Sequence, residues 1–225
     1  KGLCMANTAQ PGPYPPPPAP WRTRLEPAAT WYRVHRFDAR TGHYGPVAFN
    51  DTEHGNARFS PLIDLQNNTV IPTIYAAASP RAAIAEILLH DVPTPSTGHL
   101  YDWERDRTST LHVSDIQLAP LNLVNMSATG LRAAGLSVAD LFGGNAPDYP
   151  RTRAWALHIW RNLPQAQGLC WMSVRDNTSK VVVLFGDRVH PTQITDGRST
   201  RHISRYKPVV LELLDELGCG LVSAP

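Results

Sequence analysis

The chain has no apolar run approaching the roughly 18 residues that a membrane-spanning helix needs. Its first residues lack a charged segment followed by an apolar one, the pattern of a secretory leader. A cytoplasmic protein with no membrane association is the expectation. Cysteine is scarce: Cys4, Cys170 and Cys219 are odd in number and lie at no metal-ligand spacing, which argues against both a disulfide framework and a zinc site. The nine histidines include neither His-x-His nor His-x-x-x-His, so no metal is expected. A charge excess is also missing. Lys and Arg number 21 against 19 Asp and Glu, scattered to a net +2, and direct nucleic-acid binding is not expected. There is no Gly-x-Ser-x-Gly elbow and no Gly-x-x-x-x-Gly-Lys-Ser/Thr loop, which removes the common serine-hydrolase and nucleoside-triphosphatase patterns.

What is present is a chain of 225 residues, 42% hydrophobic, long enough for one domain plus extras. Proline gathers at Pro11, Pro13, Pro15 to Pro18 and Pro20, where fixed φ and missing N–H groups favour extended polyproline II. Residues 1–22 therefore read as a Pro-rich arm and 23–225 as the globular domain. The arm is a stiff leader or a ligand for an aromatic groove on a partner. Met5 offers a natural start, which would leave Lys1 to Cys4 upstream of it.

Trp31-Tyr32-Arg33-Val34-His35-Arg36-Phe37 reads as a strand with Trp31, Arg33, His35 and Phe37 on one face. The Gly, Asn, Asp and Pro content of Thr41 to Pro61 marks a long loop, a length that often carries function. Val70 to Ala77 reads as one strand. Ser79 and Pro80 then suit the N-cap and first turn of a helix over Arg81 to His90. Further strands are expected at Leu111–Leu118, Leu121–Asn125, Leu169–Val174 and Val181–Phe185. Helices are expected at Val138–Phe142, Arg151–Leu163 and Tyr206–Leu217. Interspersed elements without a regular βαβ rhythm indicate an α+β fold.

The Arg81–His90 helix is apolar nearly all round and should be buried, with Glu86 at its middle. A buried carboxylate must be paired, protonated or used. It is half of a core salt bridge, a helix end reaching solvent, or a working group. Arg33 offers a planar fork to a phosphate or carboxylate, and is a candidate partner for Glu86 or a solvent-facing strand residue. Arg58 is a second candidate anion contact. Tyr75 stacks on a flat ligand or fills the core. Ser173, inward by period-2 counting with Leu169 and Trp171, needs a hydrogen-bond partner. Cys170 with His158 would make a thiol dyad, but a thiol in an apolar strand is an inert core residue.

In chain order, Tyr32-Arg33-Val34-His35, Phe49-Asn50, Ala57-Arg58-Phe59-Ser60-Pro61, Ile74-Tyr75-Ala76-Ala77, Ala85-Glu86, Tyr149-Pro150-Arg151-Thr152-Arg153 and Gly168 to Ser173 resemble the RES-domain family. The likeness runs from Trp31 to Arg188. It implies an ADP-ribosyltransferase-like fold, a twisted mixed β core flanked by helices, and NAD as substrate. It also implies membership of bacterial toxin–antitoxin pairs, with a cognate antitoxin as partner. Under that resemblance Arg33 and Arg58 hold the diphosphate, Tyr75 packs on the nicotinamide or its ribose, Glu86 attends the reacting ribose and Ser173 completes the pocket. Phosphate, water or a protein side chain would accept the ADP-ribosyl group. The Pro-rich arm and a long Arg58-to-Tyr75 segment containing Asp64 to Asn68 depart from the compact members of the family. A non-catalytic module that recruits a partner through the arm is the alternative of a different class.

Overall fold

The computed structural model describes residues 21–37, 40, 44–89, 92, 96, 98–103, 110–144 and 146–223. The Pro-rich arm as far as Pro20, the Met5 start and His90 lie outside the described residues. Strand alternation builds an eight-stranded sheet from β1 (Thr23–Glu26), β2 (Ala29–Arg36), β5 (Thr73–Ala77), β7 (Leu111–Leu118), β8 (Leu121–Asn125), β9 (Gly168–Met172), β10 (Lys180–Phe185) and β11 (Ile194–His202). The order across it is β1-β8-β9-β10-β5-β2-β7-β11. The β8–β9 pair is parallel and the other neighbours are antiparallel. Beside it are a hairpin, β3 (Leu62–Asp64) with β4 (Thr69–Ile71), and a parallel pair, β6 (Leu100–Asp102) with β12 (Gly220–Ser223).

Period-2 alternation sends neighbouring side chains to opposite faces of the sheet. Val181, Val183 and Phe185 of β10 join one core, and Val182 and Leu184 the other. The first core is covered by helices α1 (Pro80–Leu88), α4 (Tyr149–Asn162) and α5 (Lys207–Glu216), through Ile84, Ile159 and Leu213 among others. The short helices α2 (Ala128–Ala133) and α3 (Val138–Phe142) add Leu131, Leu141 and Phe142 to the same side. The second core, including Trp31, Ile74, Ile116 and Leu184, is packed by Val47 and Phe49 of the loop that follows β2. Helices thus gather on one face of a mixed sheet, an α+β arrangement. None of the described helices is long and apolar enough to cross a membrane.

Three differences from the sequence reading have plain causes. The expected strand Val70–Ala77 is broken at Pro72, so that β4 pairs back on β3 and β5 enters the main sheet. Proline has no N–H for the ladder and marks the change of partner. The long Arg58-to-Tyr75 segment is therefore this β3–β4 hairpin, tied to α4 by the Arg161–Asp64 ion pair. Trp21, assigned to the arm, is 5% exposed and packs edge-on against Trp155.

Strands β2 and β5 pair only at Tyr32↔Ala77. Farther along, Thr73 exchanges both backbone hydrogen bonds with Asn50 of the loop. The two strands part between these points and leave a cleft in the sheet. Two β2 side chains pin the loop that forms one wall. Arg33 Nη1 donates to the carbonyls of Gly45, Pro46 and Ala48 at 3.2, 3.0 and 2.6 Å. His35 Nδ1 lies 2.7 Å from the Tyr44 carbonyl and its Nε2 2.8 Å from Ser114 Oγ. A carbonyl can only accept, so Nδ1 carries the proton, Ser114 donates to Nε2, and Thr200 donates to Ser114 at 2.7 Å.

Burial, followed by the nearby Arg33 charge, pushes His35 down to about 4. Its folded pKa lies below the unfolded value, so the unfolded chain takes up the proton first. The contribution of His35 to stability is constant well above pH 6.5 and falls as the pH drops from there toward 4. Allowing for solvent screening, we expect a loss of about 2 kcal/mol by pH 4. His112, also lowered by burial, adds in the same direction. Urea unfolding at pH 7 and pH 4.5 checks this. His35→Gln should be less stable at pH 7 but flatter with pH, and an undiminished slope would remove His35 as its source.

Candidate active site

The cleft opens into a cavity of about 410 Å³, with Arg33, Arg58, Tyr75, Glu86, Tyr149 and Trp171 among its walls. Helix α1 brings Glu86 to it. Ser79 caps the helix by accepting from the Ala82 N–H at 3.1 Å, and Pro80 fits the first turn where no N–H is needed. Ala82, Ala83, Ile84, Ala85 and Leu88 are buried, whereas Glu86 is half-buried and Ile87 is 45% exposed. This corrects the expectation of a helix buried all round, because the parting of β2 from β5 leaves this side of α1 facing the cavity.

The Glu86 carboxylate is held by the end of β9. Ser173 Oγ donates to Oε1 at 2.6 Å and the Val174 N–H donates to the same oxygen at 3.0 Å. Ser173 is 1% exposed, and its oxygen also accepts from the N–H groups of Arg175 and Asp176 at 3.3 and 3.1 Å. The partner that an inward serine requires is therefore Glu86. Two donors on Oε1 fix the carboxylate in one orientation; no donor to Oε2 occurs among the described residues.

Tyr75, on β5, turns to the same face. Its ring meets Trp171 edge-on at 6.1 Å, and its Oη accepts from the Phe59 N–H at 2.8 Å. Burial pushes its phenol well above the usual range, so it stays neutral. That bond anchors the residue after Arg58. The Arg58 guanidinium lies 5.0 Å from the Tyr149 ring centre and 5.5 Å from that of Phe142, and donates to the carbonyls of Leu141 and Gly144 at 2.8 and 3.2 Å. Burial lowers its pKa, offset in part by Tyr149, while Arg175 opposes and Glu86 favours its charge. Arg58 and Glu86 thus feel each other across one cavity.

Arg33 behaves differently from the sequence expectation of a Glu86 partner. Strand alternation sends it off β2 on the side of Trp31, opposite Tyr32, Val34 and α1, and among the described residues the two form no ion pair. Only Nη1 is taken by the loop carbonyls, while Nε and Nη2 have no hydrogen bond among the described residues. Burial lowers its pKa to about 10, which still leaves it charged at neutral pH. Arg33 is thus a fixed guanidinium on a residue that lines the cavity, with part of its donor set unused among the described residues.

All five sequence candidates meet here, four as cavity walls and Ser173 behind Glu86. Asn50, Asn56, Tyr149, Trp171 and Arg175 also line the cavity and are not among the site residues expected from the sequence. Asn50, Tyr149 and Trp171 belong to the runs that carry the family resemblance; for Asn56 and Arg175 the pattern held no signal. Cys170 lies on the far side of β9 in the second core, and burial pushes its thiol up to about 12, the inert state expected of it.

Among solved structures, the chain is similar to a chain of the crystal structure of the M. tuberculosis MbcT–MbcA toxin–antitoxin complex, at TM-score 0.56 and 18% identity, covering 84% of this chain and 92% of that one. At that identity the likeness speaks for the fold. No curated protein matches. The RES domain family model matches residues 30–204, which hold the cleft, Arg33, Arg58, Tyr75, Glu86 and Ser173, and the chain belongs to the RES-domain family.

Proposed function

We propose that this protein cleaves the nicotinamide–ribose bond of NAD, with phosphate or water accepting the ADP-ribosyl group, and that it acts in the cytoplasm as the toxin of a toxin–antitoxin pair. The observation that carries the reading is a single carboxylate, Glu86, fixed by Ser173 and Val174 in a cavity of about 410 Å³ that three arginines, Arg33, Arg58 and Arg175, also line. The size falls within the range of about 300–1,000 Å³ usual for small-molecule sites.

The chemistry follows from charge. In NAD the nicotinamide nitrogen is already cationic, so the bond pair leaves with it, the ring departs neutral and no general acid is needed. The ribose carbon becomes an oxocarbenium-like cation. A carboxylate held beside it stabilises charge that exists only in the transition state. Arg33 and Arg58 hold the diphosphate and spend remote binding energy on orientation. The Tyr75 ring supports the nicotinamide or its ribose. An oxygen of phosphate or water then bonds to the cationic carbon, with water's proton released to solvent, giving a phosphorylated ADP-ribose or ADP-ribose and depleting cellular NAD.

Incubating the purified protein with NAD, with and without phosphate, and identifying the products tests this directly. Free nicotinamide with either product supports the reading. Intact NAD alone, with a labelled protein appearing in lysate, would replace it with ADP-ribose transfer to a protein side chain. The antitoxin partner is proposed because the similar structure is a toxin–antitoxin complex.

Ser173→Ala is expected to slow NAD loss about tenfold, since one of the two donors to Glu86 Oε1 is removed while the Val174 N–H remains. Steady-state rates measure it. A rate within twofold of the unaltered protein would mean that the hydroxyl serves only the fold.

A further inference from the structure

The turn that holds Glu86 is tied a second and a third time to the helix that carries it. Residues 173–179 leave β9 and return to β10, with the Ser173 N–H donating to the Ser179 carbonyl at 2.8 Å and the Asn177 N–H to the Ser173 carbonyl at 2.9 Å. At its far side Asp176, whose side chain is 1% exposed, accepts from Arg81 Nε at 2.9 Å. Thr178 Oγ1 donates to the other Asp176 oxygen, and Ser179 Oγ donates to Ser79 Oγ at 2.9 Å. Ser79 and Arg81 stand at the start of α1, and Glu86 five residues on from Arg81, about 7.5 Å along the axis at 1.5 Å per residue. The turn therefore lies along α1, clamped at both ends.

A turn held only through Ser173 and Glu86 could pivot about that contact. The Arg81–Asp176 pair removes the pivot, because the same Asp176 also donates its backbone N–H to Ser173 Oγ, at 3.1 Å. The link runs without a gap from Arg81 to the Asp176 carboxylate, through one residue of backbone to Ser173 Oγ, and on to Glu86 Oε1. On the outer side Arg81 also meets Glu212 and Glu216 of α5, at 3.2 and 2.5 Å, but these carboxylates are 63% and 55% exposed and water screens them.

We propose that Arg81 and Asp176 are positioning residues that fix the 173–179 turn against α1 and thereby hold the Glu86 carboxylate in its working orientation. The inference rests on the reading of Glu86 as the working carboxylate. Neither residue touches the cavity, so their effect is on orientation and not on substrate affinity.

The test uses the full chain and two readouts. The first is kcat and KM for NAD. Asp176→Asn, close in shape but without the charge, and Arg81→Met should each lower kcat about tenfold with KM within threefold. Arg81→Lys, which keeps the charge, should fall less, and Glu216→Gln should stay within twofold. The second readout is the carbon-13 carboxyl resonance of Glu86, assigned by its loss in Glu86→Gln. Asp176→Asn and Arg81→Met should move it in the direction that Ser173→Ala moves it. A resonance that stays in place in folded Asp176→Asn protein overturns the inference whatever the rate, as does a shifted resonance with unchanged kcat. Should the unaltered protein leave NAD intact, the proposed reaction fails, and the resonance alone decides the tether.

Discussion

Glu86→Gln is expected to slow NAD loss by about a hundredfold to a thousandfold, or about 3–4 kcal/mol of transition-state stabilisation, while the protein stays folded. Glutamine keeps an oxygen that can accept from Ser173 Oγ and the Val174 N–H, so both hydrogen bonds survive the change. What it loses is the negative charge that the proposed reaction needs beside the ribose. The half-buried position of Glu86 makes the substitution mild for the fold, and a stability change within about 1 kcal/mol is expected. Glu86→Ala removes the acceptor as well, leaving the buried Ser173 hydroxyl without its partner, and should be less stable than Glu86→Gln. Both variants should relieve growth arrest in cells. Rates within tenfold of the unaltered protein in folded Glu86→Gln would sink the carboxylate's role.

The parts of this molecule that could be read from the chain are those whose pattern is local. Strands β7 and β8 and helix α3 have the boundaries that alternation and capping indicate. Ser79 and Pro80 start α1 for the reason their chemistry suggests. Strand β11 was not expected. Its sequence Ile194-Thr195-Asp196-Gly197-Arg198-Ser199-Thr200-Arg201-His202 lacks an apolar face, because it is an edge strand with a register shift between Asp196 and Thr200 and a positive φ at Arg198.

The candidate site divides in the same way. The order of Arg33, Arg58, Tyr75, Glu86 and Ser173 along the chain carried the family, and the burial of Ser173 called for a partner. That Glu86 faces a cavity depends on β2 leaving β5 after one residue pair, which joins segments 45 residues apart at Tyr32 and Ala77 and has no local signal. The same divergence explains why Arg33 can border the cavity while its side chain departs on the face opposite α1.

Under the proposed function Arg33 would carry two duties, holding the loop and binding the diphosphate, and one pair of substitutions separates them. Arg33→Ala is expected to lose about 3 kcal/mol of stability together with NAD binding. It strips the carbonyls of Gly45, Pro46 and Ala48 of their shared donor at a half-buried site. The loop they anchor carries Asn50, whose bridge to Thr73 closes the end of the cleft, so the cavity wall loosens as well. Arg33→Lys should instead keep most of the stability, because an ammonium group offers three donors to those carbonyls. It cannot also present the planar fork formed by Nε and Nη2, and NAD affinity should fall about a hundredfold, close to that of a lost bidentate contact. Thermal unfolding reads the first duty and calorimetric titration with NAD the second. Normal NAD affinity in Arg33→Lys would restrict Arg33 to holding the loop and leave Arg58 as the diphosphate's arginine.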